Sequence, residues 1–179
     1  MSVTLEAYQA ELETWVGTPY VPGQQKKGSG IDCIRFVFSM LDWLYEFENP
    51  TKCPRLPSQV GMNNKPLAMT GLKAAFKAYK PEVLWNNINP TRLMPEYPEP
   101  GDVMIIRRGD NSPAHSLIAG TRRNILWHCD YARGMDGNGG VMETSYGFAQ
   151  QLGIMRIWRP RINWRTECLI EQDSTAMAS

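Results

Sequence analysis

The sequence predicts an α+β protein, with helices in its first half and an antiparallel sheet in its second half. Before residue 81, apolar residues recur at helical spacing between segments rich in Gly and Pro. After residue 100, short runs of β-branched and aromatic residues are bounded by Gly, Asn, Asp or Pro. Helices that precede the strands, rather than alternate with them, indicate a helical layer packed on one face of a sheet.

Three helices are expected. The first covers residues 4–16 and ends at Gly17, since "LEAYQAELETWV" places apolar residues three or four positions apart. The second begins at Cys33, where "CIRFVFSMLDWLYEF" carries a broad apolar stripe that makes it a buried helix. A Pro-containing connection then leads to "LAMTGLKAAFKAYK", a third helix closed by Pro81.

Five strands are expected in the second half. They are "GDVMIIRR", "HSLIAGT", "NILWHCDYA", "GGVMETS" and "GIMRIWRP". Their short lengths and the turn residues between them are typical of an antiparallel meander. The chain is long enough for one domain with a single core, which we assign to residues 1–165, followed by a polar tail at residues 166–179.

Composition narrows the classes of partner. Lys and Arg total 19 against 18 Asp and Glu, so the net charge of +1 gives no electrostatic argument for nucleic acid or an anionic membrane as partner. The four cysteines are widely scattered, without a C-x-x-C pair or Cys and His at zinc-ligand spacing. We therefore expect neither a metal nor another cofactor.

The N-terminal segment lacks the basic leader and apolar core of a signal peptide. No apolar run approaches the roughly 20 residues of a membrane-spanning helix. The expected product is made in the cytoplasm, and any delivery outside the cell requires another route.

Cys33 is the first candidate for chemistry. It follows the polar run "GSGID" at the start of the second predicted helix, not in the middle of an apolar stripe. A thiol has an unperturbed pKa of about 8.5, and a helix N-terminus together with an imidazole lowers that pKa and favours the nucleophilic thiolate. The position predicts an activated nucleophile.

The two histidines of the chain complete the candidate set. His115 opens one predicted strand and His128 lies in the next, 13 residues later, a separation that suits neighbouring antiparallel strands. His115 is then the general base and His128 the group that orients it, with Asp130 in reserve. Taken separately, each of these residues is equally compatible with core packing.

In their order, these segments resemble the NlpC-type cysteine peptidases. The segments are "GTPYVPGQ", "GIDCIRFV", "PGDVMII" and "HSLIAG", and with His128 they span about two thirds of the chain. That family has a papain-like fold and cuts the stem peptides of bacterial peptidoglycan. The resemblance implies Cys33 as nucleophile, His115 as base and His128 as third member, with Tyr20 and Asp32 contributing to the substrate and oxyanion site.

The sequence departs from the family at two places. Ile34 and Arg35 stand where the family usually has Ser-Gly, and Pro22 to Gln24 replace a Trp-Gly-Gly segment. These changes leave the three catalytic positions intact and make the substrate preference uncertain.

The resemblance implies peptidoglycan as partner. Short single-domain members with such an N-terminal helix are similar to phage tail proteins, so we expect a virion component that contacts other tail proteins and aids genome entry. Two alternatives stay open. One is an inactive structural tail or adaptor protein of the same fold, and the other is an amidase effector of the related CHAP group, delivered by a secretion system.

Overall fold

A computed structural model describes residues 2–48, 80–87, 93–107, 113–131 and 139–164. The α+β class is confirmed: N-terminal helices pack on a six-stranded antiparallel sheet built from the second half of the chain. The predicted third helix, the tail at residues 166–179, Cys53 and Cys168 lie outside the described residues.

Among the described residues, two helices form the N-terminal layer. Helix α1 covers Leu5–Glu13, three residues shorter than expected at its C-terminal end, and the Thr4 hydroxyl caps it by accepting the Ala7 N–H at 3.1 Å. A short hairpin of two strands with two residues each, β1 (Gln25–Lys26) and β2 (Gly30–Ile31), then leads into α2 (Cys33–Glu48). Helix α2 begins at the predicted residue.

The sheet contains the five expected strands and one more. They are β3 (Glu82–Asn86), β4 (Val103–Arg107), β5 (Pro113–Ala119), β6 (Ile125–Asp130), β7 (Gly140–Ser145) and β8 (Ile154–Arg159), in the spatial order β3-β8-β4-β5-β6-β7. Every neighbouring pair is antiparallel. A short helix, α3 (Tyr146–Leu152), connects β7 to β8.

The β5–β6 turn brings the two histidine-bearing strands together. Ile118 pairs with Trp127 and Ala119 with Leu126 beside the turn, where Asn124 adopts a φ of +68°. The predicted turn around residues 122–124 is therefore confirmed.

The sheet has an apolar cluster on each face. The predicted stripe of α2 is fully buried and shares one cluster with side chains from β4, β5 and β6: Phe36, Val37, Met40, Leu41, Leu44, Val103, Ile105, Ile118, Trp127 and Cys129. The alternate residues of the same strands pack with Tyr146 and Ala149 of α3. Helix α2 is thus the buried element that fixes Cys33 relative to the sheet.

Candidate active site

The start of α2 is organised by the Asp32 carboxylate. Its oxygens accept the backbone N–H groups of Gly23 and Arg35, each at 2.9 Å, and the Arg35 guanidinium donates to the same group. Asp32 is completely buried, and acceptance from the third helical N–H is the geometry of a helix N-cap. Asp32 thus holds both the first turn of α2 and the preceding loop, while its predicted contribution to the substrate site stays a prediction.

Cys33 is the first residue of α2 and has a free thiol that is 1% exposed. Burial raises the pKa of this thiol to about 11, and the nearby negative charges of Asp32 and Asp130 raise the pKa further. The backbone and side chain of Ser116 act in the opposite direction and lower it. The expectation of a lowered pKa is therefore wrong for the resting chain, because desolvation outweighs the favourable position at the helix start.

His115 and His128 form a direct hydrogen bond. The His115 Nε2 lies 2.7 Å from the His128 Nδ1, and the two rings are nearly perpendicular at 85° with centroids 4.9 Å apart. Both side chains are buried, at 7% and 5% exposure. The adjacency predicted from their spacing is confirmed, and this contact commits Nε2 of His115 to its neighbour.

Ser116 is the residue of β5 that acts on the Cys33 thiol. It follows His115 directly in β5, is fully buried, and its polar atoms lie close enough to Cys33 to lower the thiol pKa. Its Oγ makes no hydrogen bond of normal geometry within the described part of the chain. Sequence reasoning missed Ser116, although strand alternation places it with Ile118 on the face that packs against α2.

Tyr20 lies beside this region. The Tyr20 backbone N–H donates to the Gly139 carbonyl at 2.9 Å, and Tyr20 forms a parallel β-bridge with Ile31. The Tyr20 ring stands edge-on to the Tyr131 ring, with centroids 5.6 Å apart. Burial raises the pKa of its hydroxyl well above the usual range, with further contributions from Cys33 and Asp32. Tyr20 is thus close enough to Cys33 for an electrostatic effect, its hydroxyl stays protonated at any physiological pH, and its contribution to the substrate site stays a prediction.

Arg35 is the departure from the family pattern with the clearest structural consequence. Its side chain is 3% exposed and turned onto Asp32, whereas the sequence offered no signal that a charged residue at this position would be buried. One guanidinium nitrogen, NH2, has no hydrogen-bond partner among the described residues. Arg35 and Asp32 therefore form a buried ion pair at the first turn of α2, next to Cys33 in the chain.

A third group faces the histidine pair. A carboxylate oxygen of Asp130, one ring nitrogen of His115 and one of His128 lie within 4.8 Å of one another. The sequence predicts these three residues in one site, with Asp130 in reserve for the orienting role, and the fold brings His115 from β5 to the His-x-Asp segment of β6. The sequence does not predict their arrangement as possible metal ligands.

Comparisons with known proteins add no relative. No protein-family model matches the chain, and the curated proteins contain no significantly similar sequence. Within the described residues, no helix is both long and apolar enough to cross a membrane.

Proposed function

We propose that this protein is a papain-like cysteine peptidase that hydrolyses amide bonds in the stem peptides of peptidoglycan. One observation carries the proposal. Cys33 begins a buried helix against Ser116, and the adjacent His115 is bound through Nε2 to His128 at 2.7 Å. A thiol at a helix start, an imidazole and a group that orients the imidazole are the three parts of a thiol hydrolase.

We assign the proton of the histidine–histidine hydrogen bond to Nε2 of His115. With this tautomer, Nδ1 of His115 is the base. Strand alternation turns His115 away from the α2 face, so the ring has to turn past Ser116 to reach the thiol. Nδ1 then takes the proton of Cys33 as the sulfur attacks the scissile carbonyl, and the Cys33 backbone N–H donates to the oxyanion. The protonated His115 then gives this proton to the leaving amine, which leaves a thioester on Cys33.

Water completes the reaction. His115 takes a proton from the water molecule while the water oxygen attacks the thioester. His115 then returns this proton to the sulfur of Cys33 as the carboxylic acid leaves. Because burial raises the pKa of the resting thiol to about 11, proton removal accompanies the attack and is not complete beforehand. His115 therefore contributes more to the rate of hydrolysis than it would if the thiolate were formed before the attack.

The substrate class rests on the resemblance to NlpC-type peptidases. That resemblance also supports a phage tail protein that opens the wall during genome entry. The near-neutral net charge of +1 fits an uncharged or mixed-charge polymer better than a polyanion.

An inactive structural protein of the same fold is the second candidate. The 1% exposure of Cys33 favours this candidate, since a substrate carbonyl needs access to the sulfur. The buried Asp32–Arg35 pair next to Cys33 favours it as well. Activity separates the two.

The test uses muropeptides of defined stem length and mass spectrometry of the products. The full chain, reduced and folded, should split the peptide and leave the glycan intact, because a thiol attacks a carbonyl. Glycan cleavage refutes the mechanism, and no cleavage by either the isolated chain or an assembled tail particle favours the structural protein. Cleavage by the particle alone supports a delivered enzyme that is held inactive in isolation.

A further inference from the structure

We propose that His115, His128 and Asp130 form a site for a divalent transition-metal ion such as Zn²⁺, and that occupation of this site switches off the thiol chemistry. The metal-binding part depends only on the geometry of the three side chains. The switching part rests on the proposed function.

The donor atoms converge on one point of the sheet. One ring nitrogen of His115, one of His128 and a carboxylate oxygen of Asp130 lie within 4.8 Å of one another. The two histidines face each other through His115 Nε2 and His128 Nδ1. His128 and Asp130 are two positions apart in β6 and therefore point to the same face of the sheet, while His115 comes from β5. Two imidazoles and one carboxylate are the ligands of many three-residue zinc and iron sites, which leave further positions for water.

Only a small movement separates the resting and metal-bound arrangements. Zn–N bonds of about 2.0–2.1 Å at the tetrahedral angle place two ligating nitrogens about 3.3 Å apart. The His115 and His128 nitrogens are now 2.7 Å apart, so their rings need to separate by about 0.6 Å. A metal bound to the two nitrogens that face each other replaces the hydrogen bond between them, and so the two arrangements exclude each other.

Tautomer chemistry makes the metal an inhibitor. A metal on Nε2 of His115 requires the ring proton to be on Nδ1, which is the nitrogen that must accept the thiol proton in catalysis. The proton moves within the ring and none is released. A metal-bound His115 therefore cannot act as base, and it has also lost its hydrogen bond to His128.

The burial and the donor types of the three side chains favour binding of a cation of intermediate softness, such as Zn²⁺. The two imidazoles are buried, which limits competition from water, whereas Asp130 is partly exposed and opens the site to solvent. Two nitrogen donors and only one carboxylate select Zn²⁺ over Mg²⁺ or Ca²⁺, which prefer oxygen ligands.

The binding test is calorimetric titration of the metal-free full chain with Zn²⁺, in a non-thiol reductant. We expect one Zn²⁺ per chain in the parent. Loss of a residue that only supports a ligand already weakens metal binding about 10- to 100-fold. Asp130→Asn and His128→Ala change the ligands themselves, so each should weaken Zn²⁺ binding at least about tenfold. Glu143→Gln, which changes a carboxylate on neighbouring β7, is the control and should bind as the parent does.

Cys33→Ser distinguishes this site from a metal held by the thiol, and it should keep Zn²⁺ binding. No binding by the folded parent, unchanged binding in Asp130→Asn and His128→Ala, or loss of binding in Cys33→Ser would each overturn the metal site.

The switching test adds Zn²⁺ to the muropeptide assay. Hydrolysis should fall over the same Zn²⁺ concentrations that saturate the site, should recover with EDTA and should not respond to Mg²⁺. Full hydrolysis by the Zn²⁺-saturated chain overturns the switch alone. A chain that binds Zn²⁺ in the predicted pattern but never hydrolyses muropeptides keeps the metal site and contradicts the proposed function instead.

Discussion

Burial of the Cys33 side chain determines how this thiol should react. Its pKa of about 11 means that the thiolate fraction rises tenfold per pH unit from pH 7 to 10. The rate of Cys33 alkylation by iodoacetamide, followed by peptide mass mapping, should rise with the same slope. Cys129, whose pKa is raised further by burial, is the internal control and should label more slowly. A rate that is already constant below pH 8 would show a preformed thiolate–imidazolium pair.

His128 should contribute less to the rate than His115. General acid–base catalysis by a positioned side chain is worth about 10²- to 10⁴-fold, so His115→Ala should lose at least that much of kcat/KM. His128→Ala removes only the partner of Nε2 and should cost about 10- to 100-fold, with partial recovery in His128→Asn. Equal losses in His115→Ala and His128→Ala would show that the pair acts as one unit.

Sequence reasoning predicted the positions of the site residues but not their burial. Spacing and turn chemistry sufficed to place His115 beside His128, because a short antiparallel turn leaves few registers. The thiol pKa could not be predicted, since the helix position of Cys33 is visible in the sequence but its desolvation is not. The inward turn of Arg35 onto Asp32 likewise depends on tertiary packing.

At the scale of elements, the first turn of α2 depends on Asp32. Asp32→Ala removes the cap and leaves the buried Arg35 guanidinium without its carboxylate. Breaking a buried pair on one side costs about 3–5 kcal/mol, and we expect a loss of that size in the free energy of unfolding by urea. Glu46→Ala, at an exposed position on the same helix, should change stability by less than about 0.5 kcal/mol. A similar small effect in Asp32→Ala would contradict the role of Asp32 as an anchor.

Elements with strong local patterns were predicted, and those that depend on distant contacts were missed. The apolar stripe of α2 and the alternation in β4 to β8 are periodic over several residues. Strand β3 was missed because it pairs only with β8, some seventy residues downstream, and has an exposed start. Helix α3 spans only seven residues, although Ser145 at its N-cap and Gly153 after its end were available as signals.

At the scale of the whole molecule, an ion pair between a buried carboxylate and a partly exposed guanidinium connects β4 to β8. Asp102, directly before β4, accepts two hydrogen bonds at 2.9 Å from Arg159 at the end of β8. The carboxylate is fully buried, and desolvation raises its pKa even with Arg159 present. This pair holds together the two strands at the centre of the fold.

Arg159→Met should lower the free energy of unfolding by about 3–5 kcal/mol at pH 7, because it leaves a buried carboxylate unpaired. The lost guanidinium raises the folded-state pKa of Asp102 further above its ordinary 3.8. A carboxyl whose pKa is higher in the folded state binds protons on folding, so the difference from the parent should shrink as the pH falls towards 4. A difference independent of pH between 4 and 7 would place the cost in lost packing instead.

The most direct test of the central claim is the rate at which the parent, Cys33→Ala and Cys129→Ala split one defined muropeptide. Both variants delete a buried thiol, but only Cys33 lies at the start of α2 beside Ser116. We predict peptide cleavage by the parent, near-parent cleavage by Cys129→Ala and none by Cys33→Ala, with all three folded by circular dichroism. Cleavage by Cys33→Ala at the parent rate would contradict the assignment of Cys33 as the nucleophile.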